Sequence, residues 1–324
     1  MAFIFPILDL IVMILQNILK HQSEFEYVDE HDNSRLSQLC CEIRFYFQSD
    51  LETHADGLLQ LQDRAMALLP GEILHWFTPF SARYGSTGLI SFRKKTKAMS
   101  THLAKWIDKQ KWDKPFAIEL HGSKRDHSVS DVSFQLCNDP YRTGYIRLLL
   151  PIKTLEQGGQ TLPNLALELI GDFPFISGYI GFGLNVFTPT YQKLTLFDPF
   201  IPPLLERFHC IDFTDPYRFK EFEDSALLNI GWCTLLGPKR KKQSKVNFSS
   251  RKLPPGFSTF DIGKGIGLQV SEDPSLGVIG VDDLAPYHEA AKLLSKIRHT
   301  RESVAPFDSL GGTEITGNWV ERFS

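Results

Sequence analysis

The chain has 324 residues, 42% of them hydrophobic and 23% charged, and a formal net charge of −3. This balance excludes a disordered chain and fits one large domain or two of ordinary size. It also excludes a protein whose whole surface holds a polyanion, since such surfaces concentrate Lys and Arg, although local patches stay open.

The N-terminal segment Ala2–Leu19 is almost wholly apolar but contains Pro6, Asp9, Gln16 and Asn17. It has no basic residue before Lys20 and no small-residue cleavage site, so it does not read as a secretory signal. A charge near mid-segment disfavours a membrane span. A helix packed on the body or on a partner fits best, with a membrane contact or a misassigned start codon as the alternatives.

An acidic stretch, Glu24 to Asp32, leads into Leu39–Phe47 (LCCEIRFYF), whose β-branched, aromatic and Cys residues predict a strand. Asp56–Leu69 carries a broad apolar stripe that predicts a helix ended by Pro70-Gly71. Strands are expected at Leu74–Phe77 and Leu89–Phe92, a helix at Met99–Lys109, and strands at Phe116–His121, Val129–Leu136 and Tyr145–Leu150. Pro151–Pro163 reads as the connection between halves. A helix over Leu162–Ile170 follows, then a strand within Phe175–Phe187 (FISGYIGFGLNVF), where the glycines mark close backbone approach or a bulge.

Pro202–Phe208 predicts a short helix and Ala226–Leu236 a buried strand. Lys239–Lys245 (KRKKQSK) reads as a solvated, mobile loop. Ile266–Val270 predicts a strand and Pro286–Arg298 a helix with proline at its start and basic residues in its last turn. Residues after Ser303 lack periodicity and read as a tail. The pattern gives an α+β fold with mixed, largely antiparallel sheets and packed helices, possible as two α+β subdomains. The expected organisation is an apolar helix and acidic linker over 1–35, an N-terminal half over 36–150, a C-terminal half over 151–303 and a tail over 304–324.

The chemistry-bearing motifs are weak. Gly263–Gly267 (GKGIG) lacks the spacing of a Walker loop or a dinucleotide fingerprint and reads as a hairpin. His209-Cys210-Ile211-Asp212 could supply a nucleophile and base, but strand geometry puts His209 on the face opposite Cys210 and Asp212. Glu30-His31-Asp32 and Lys124–His127 lack the two-His spacing of a metal helix. The five cysteines, Cys40, Cys41, Cys137, Cys210 and Cys233, are odd in number and form no CxxC pair. They read as reduced core residues of a reducing compartment. No catalytic residue, cofactor site or metal site is expected, and no small-molecule substrate.

Charge segregation is the stronger signal. From His21 to Gln60, nine acids, including Glu42, face only Arg35 and Arg44. A second group, Asp212, Asp215, Glu221, Glu223 and Asp224, lies in one loop-rich region, and Glu272, Asp273, Asp282 and Asp283 precede the last clear helix. Solvated loops that serve solubility are the plain explanation. The functional one is a negative patch that captures a basic partner.

The order of Phe173–Phe182 (FPFISGYIGF), Asn229–Gly237 (NIGWCTLLG), Gly267–Val270, Glu272–Gly277 (EDPSLG) and Tyr287–Arg298 resembles the TsiV-like family of type VI secretion immunity proteins, over roughly residues 36 to 300. The resemblance implies a cytoplasmic, non-enzymatic protein that neutralises a cognate toxin effector. It implies a VRR-Nuc nuclease of the PD-(D/E)xK class as that partner, blocked at its DNA-binding or active site. The apolar N-terminus and KRKKQSK are not features of the family. Two other readings stay open: a hydrolase using His209 or Cys210, and a peripheral membrane or adaptor protein using Ala2–Leu19 with KRKKQSK.

Overall fold

The computed structural model describes residues 4–48, 51–69, 75–77, 90–91, 103–105, 107–108, 116–122, 128–138, 143–186, 200–213, 226–300 and 313–324. Helix α1 (Ile4–His21) is followed by β1 (Tyr27–Val28), the long strand β2 (Arg35–Gln48) and helix α2 (Leu51–Leu68). The strands β3 (His75–Phe77), β4 (Ile90–Ser91), β5 (Phe116–His121), β6 (Ser133–Asn138) and β7 (Thr143–Leu150) complete the first half, and residues 103–105 and 107–108 are helical. Then come α3 (Thr161–Ile170), β8 (Ser177–Val186), α4 (Ile201–Arg207), β9 (Ile211–Asp212), β10 (Cys233–Leu236), α5 (Pro238–Ser244), β11 (Ser258–Ile262), β12 (Gly265–Gln269), α6 (Ala285–Leu293) and α7 (Thr313–Glu321).

The strands form one sheet in the order β11-β12-β10-β8-β2-β7-β6-β5-β3-β4, with β1 paired to β2 and β9 to β8. Every pairing is antiparallel except β8 with β9. The fold is α+β, as the mixture of elements predicts.

Strand β2 sits near the middle, between β7 and β8, and is buried along nearly its whole length. Because side chains alternate between faces, Leu39, Cys41, Ile43, Phe45 and Phe47 share one side and Gln38, Cys40, Glu42, Arg44 and Tyr46 the other. The apolar row enters the main core. Phe45 meets Phe175 edge-on at 5.3 Å between ring centroids, and Phe47 meets Phe173 at 5.2 Å. Phe173 follows α3, which packs on α2 and β2, so the helices cover this face. Each buried Phe or Leu here contributes roughly 1.5–3 kcal/mol of transfer free energy.

Helix α1 packs on the body through its last turns, with Ile18 buried and Ile14 and Leu15 against the core, while Met13 and Leu19 are exposed. Among the described residues, no helix is long and apolar enough to cross a membrane. Gly263-Lys264 is the two-residue turn of the β11–β12 hairpin, with Gly263 at φ 52, the positive φ that the first position of such a turn requires.

Three expectations need correction. Lys239–Lys245 is not a loop: Pro238–Ser244 is helix α5, with proline in its first turn and Lys245 left-handed at φ 58. Arg240 and Ser244, four apart, are buried on one helix face, while Lys239 and Lys242 face solvent. The basic run therefore disguised an amphipathic turn. The strand expected at Ala226–Leu236 narrows to Cys233–Leu236, which leaves Trp232 just ahead of it but fully buried. Residues 313–324 contain α7 and bury Trp319, Val320 and Phe323, so this part of the presumed tail belongs to the core.

Candidate functional site

The sequence-predicted partner residues separate into three environments. Asp212 is buried on the two-residue strand β9, so it cannot face an external cation. Asp282 is partly exposed and its carboxylate holds a turn, accepting from Ser275 Oγ at 2.6 Å and from the Val278 amide at 2.8 Å. Asp283 is exposed and accepts the Ala285 amide at 2.9 Å, next to the start of α6. Asp215, Glu221, Glu223 and Asp224 lie outside the described residues.

Asp212 instead ends a buried ionic cluster built on the polar row of β2. Arg44 donates through Nε to Glu42 Oε1 at 2.5 Å, and through Nη1 to Asp212 Oδ2 at 3.2 Å and to the Tyr46 hydroxyl at 3.0 Å. On β7, Arg147 lies directly opposite Arg44 and would repel it. Glu42 resolves this by accepting Arg147 Nε and Nη2, both at 2.9 Å. Arg147 Nη2 also donates to the Leu184 carbonyl at 3.1 Å. Arg44, Glu42, Arg147 and Asp212 are all buried.

Burial works against the charge of Arg44, but Asp212, then Glu42 and Tyr46, outweigh it and hold the guanidinium well above its ordinary range. Arg147 is likewise raised against burial, chiefly by Glu42 and in spite of Arg44. Tyr179, opposite Arg44 on β8, is pushed well up by burial and then by Asp212 and Glu42. Its hydroxyl therefore stays a neutral donor, 2.8 Å from the Phe182 carbonyl and 3.2 Å from that of Cys210.

The C-terminal helix closes the cluster. Asn229 donates to Asp212 Oδ2 at 3.1 Å and accepts from Arg322, whose Nε also donates to the His209 carbonyl at 2.7 Å. Arg322 lies 4.0 Å from the Trp319 ring centroid, and burial, only partly offset by Asp212, lowers it to about 10. The glycines of β8 make room for these side chains: a Cβ at Gly183 would stand 1.7 Å from Glu42 Oε2, and one at Gly181 2.6 Å from the Tyr179 hydroxyl. A charge pair two apart in an otherwise apolar strand, Glu42 and Arg44, was the available sequence signal. By composition alone Glu42 groups with the acidic surface, because its cross-strand partner Arg147 is distant in sequence.

Among the described residues, the thiols lie in the core and the His209 ring is part-buried. All five cysteines are free and buried. Burial pushes Cys210 up to about 12 and Cys40, Cys41 and Cys233 well above the usual thiol range. Burial, then Arg322 and His288, push His209 down to about 4, and its ring lies edge-on to Phe323. Among the described residues, no three His, Cys, Asp or Glu side chains converge as metal ligands would.

The sequence pattern of the TsiV family, described as type VI immunity for VRR-NUC, matches residues 47–323. Among solved structures, a Pseudomonas aeruginosa type VI secretion system protein superposes with a TM-score of 0.76 at 16% identity, covering 95% of this chain and 90% of that one. At that identity the likeness concerns the fold. No curated protein matches the chain.

Proposed function

We propose that this chain, which belongs to the TsiV family of type VI immunity for VRR-NUC, binds a cognate VRR-NUC nuclease effector in the cytoplasm and covers the surface that takes DNA. The family match over residues 47–323 is the observation that carries this reading. The chain does no chemistry of its own in this account. Supporting that, the thiols are buried and raised, while His209, whose Nδ1 has no hydrogen-bond partner, is held toward its neutral form.

Recognition rests on acidic loops meeting a cationic groove: Asp215, Glu221, Glu223 and Asp224 with Asp282 and Asp283. Asp212, buried against Arg44, acts as an internal counter-ion. A nuclease concentrates Lys and Arg where the phosphate backbone lies, so carboxylates steer association and compete with DNA. A stable complex should bury about 1,600 Å² in total. The protein contacts neither nucleic acid nor membrane directly in this account.

The test is co-expression with each VRR-NUC nuclease of the same genome, followed by competition between the chain and duplex DNA for the protected-against nuclease, held inactive in EDTA. Survival with one nuclease, and mutually exclusive binding, are expected. Protection against none would overturn the immunity assignment. A ternary complex with DNA still bound would overturn occlusion.

A further inference from the structure

The turn between Ser275 and Leu284 is firmly held yet leaves its tip uncovered. Val278 is buried and bridges Phe208. The His209 amide donates to the Gly277 carbonyl at 3.0 Å, that of Cys210 to Leu276 at 3.1 Å and that of Ile279 to Arg207 at 3.0 Å. Within the turn, the amides of Val281 and Asp282 both donate to the Val278 carbonyl, at 3.1 and 2.9 Å, and Asp282 braces Ser275 and Val278 through its carboxylate. Gly280, at φ 76, lets the chain reverse in open space.

On this fixed backbone Ile279 is 46% exposed and Val281 is 73% exposed. Two β-branched side chains held in water by a rigid turn bring no folding benefit from burial, while their preorganisation lowers the cost of inserting them into a partner. The surroundings indicate what that partner carries. Glu206 and Asp283 are exposed and Asp282 is partly so, whereas the guanidinium of Arg207 is already paired with Glu24. An apolar tip bordered by carboxylates that form no ion pair among the described residues fits an apolar depression bordered by Lys and Arg.

We propose that Ile279–Val281 is the apolar anchor of the immunity interface, seated in a depression of the nuclease's cationic DNA-binding surface while Glu206, Asp282 and Asp283 meet its basic rim. This rests on the immunity reading above and adds the docking element. A few residues seated in well-packed, desolvated pockets carry most of the energy of an interface, and their loss acts mainly on dissociation.

The experiment uses the full chain and the purified VRR-NUC nuclease against which the wild-type chain protects, held inactive in EDTA. Ile279→Ser/Val281→Ser is compared with Met13→Ser/Leu19→Ser, which alters exposed apolar residues on α1. Melting temperatures within about 2 °C of wild type verify the fold. The turn variant should bind at least about 30-fold more weakly, mostly through faster dissociation, and the α1 variant within about threefold. A loss below about tenfold in the turn variant, or an equal loss in both, overturns the anchor. Loss of self-association with unchanged nuclease binding overturns it too and assigns the tip to a second copy of the chain. If the wild-type chain protects against no VRR-NUC nuclease, the immunity reading itself fails, and the anchor with it.

Discussion

Substituting Glu42→Gln keeps the shape of the side chain and removes a charge that serves both Arg44 and Arg147. These two arginines are register partners on adjacent strands, and Glu42 hydrogen-bonds to each. A unit pair at about 4 Å is worth on the order of 4 kcal/mol at an effective dielectric near 20. Desolvation of the carboxylate, a cost that vanishes with the charge, offsets part of the two pairings. Breaking a buried pair by removing one partner nevertheless costs about 3–5 kcal/mol, because the remaining charge stays buried. In urea, with a slope of about 3 kcal/mol/M, this is a midpoint shift of about 1–1.7 M. The double variant Glu42→Gln/Arg147→Met should be less destabilised than the sum of its parts, since the second change removes the guanidinium that the first stranded. A single-variant loss under about 1 kcal/mol, or strict additivity, would refute the claim that Glu42 neutralises a cross-strand arginine pair.

Four further outcomes follow from the same structure. Gly183→Ala forces its new methyl into Glu42 Oε2, so it should cost more than about 2 kcal/mol, and most of that penalty should disappear in a Glu42→Ala background when both are measured by denaturation. Trp232→Ala empties a buried site and loses the 2.9 Å bond from Nε1 to the Ser271 carbonyl. It should lower stability by roughly 3–5 kcal/mol and reduce protection only as folded protein is lost, so abolished binding at an unchanged melting temperature would contradict a core role. His209 is held near 4 in the folded state against 6.5 otherwise, so the unfolded chain takes up its proton first. Its contribution is complete above about pH 6.5 and shrinks as pH falls toward 4; His209→Gln should flatten that part of the stability curve, and an unchanged slope would be inconsistent with a neutral, part-buried ring. Neutralising Asp282 and Asp283, or the Asp215–Asp224 acids, should slow association and weaken its salt dependence, because attraction beyond about 8 Å is screened at physiological salt. Identical rates across a salt series would point to an apolar surface alone.

The elements themselves were legible locally. The alternation of Leu39 to Phe47, the apolar stripe of Asp56–Leu69, the span Phe116–His121 and the helix at Leu162–Ile170 each carry their period within one segment, and the structure returns each within a few residues. The order of the C-terminal motifs likewise carried the family, since it depends on residue types and spacing alone. Elsewhere local composition misled. KRKKQSK looked like a solvated loop because its charges hid the buried Arg240–Ser244 face, and residues 313–324 looked like a tail because the partners of Trp319 and Arg322 are distant in sequence. The same limit applied to the acids. Glu42, Asp212 and Asp283 are equivalent as letters, yet pairing β2 with β7 and β8, and β8 with β9, buries the first two among arginines and leaves Asp283 in water. Sequence sets which residues carry charge and where apolar faces repeat. Strand pairing alone decides which charges lose their water and must find each other, because that desolvation depends on neighbours up to 168 residues apart, the separation of Arg44 and Asp212.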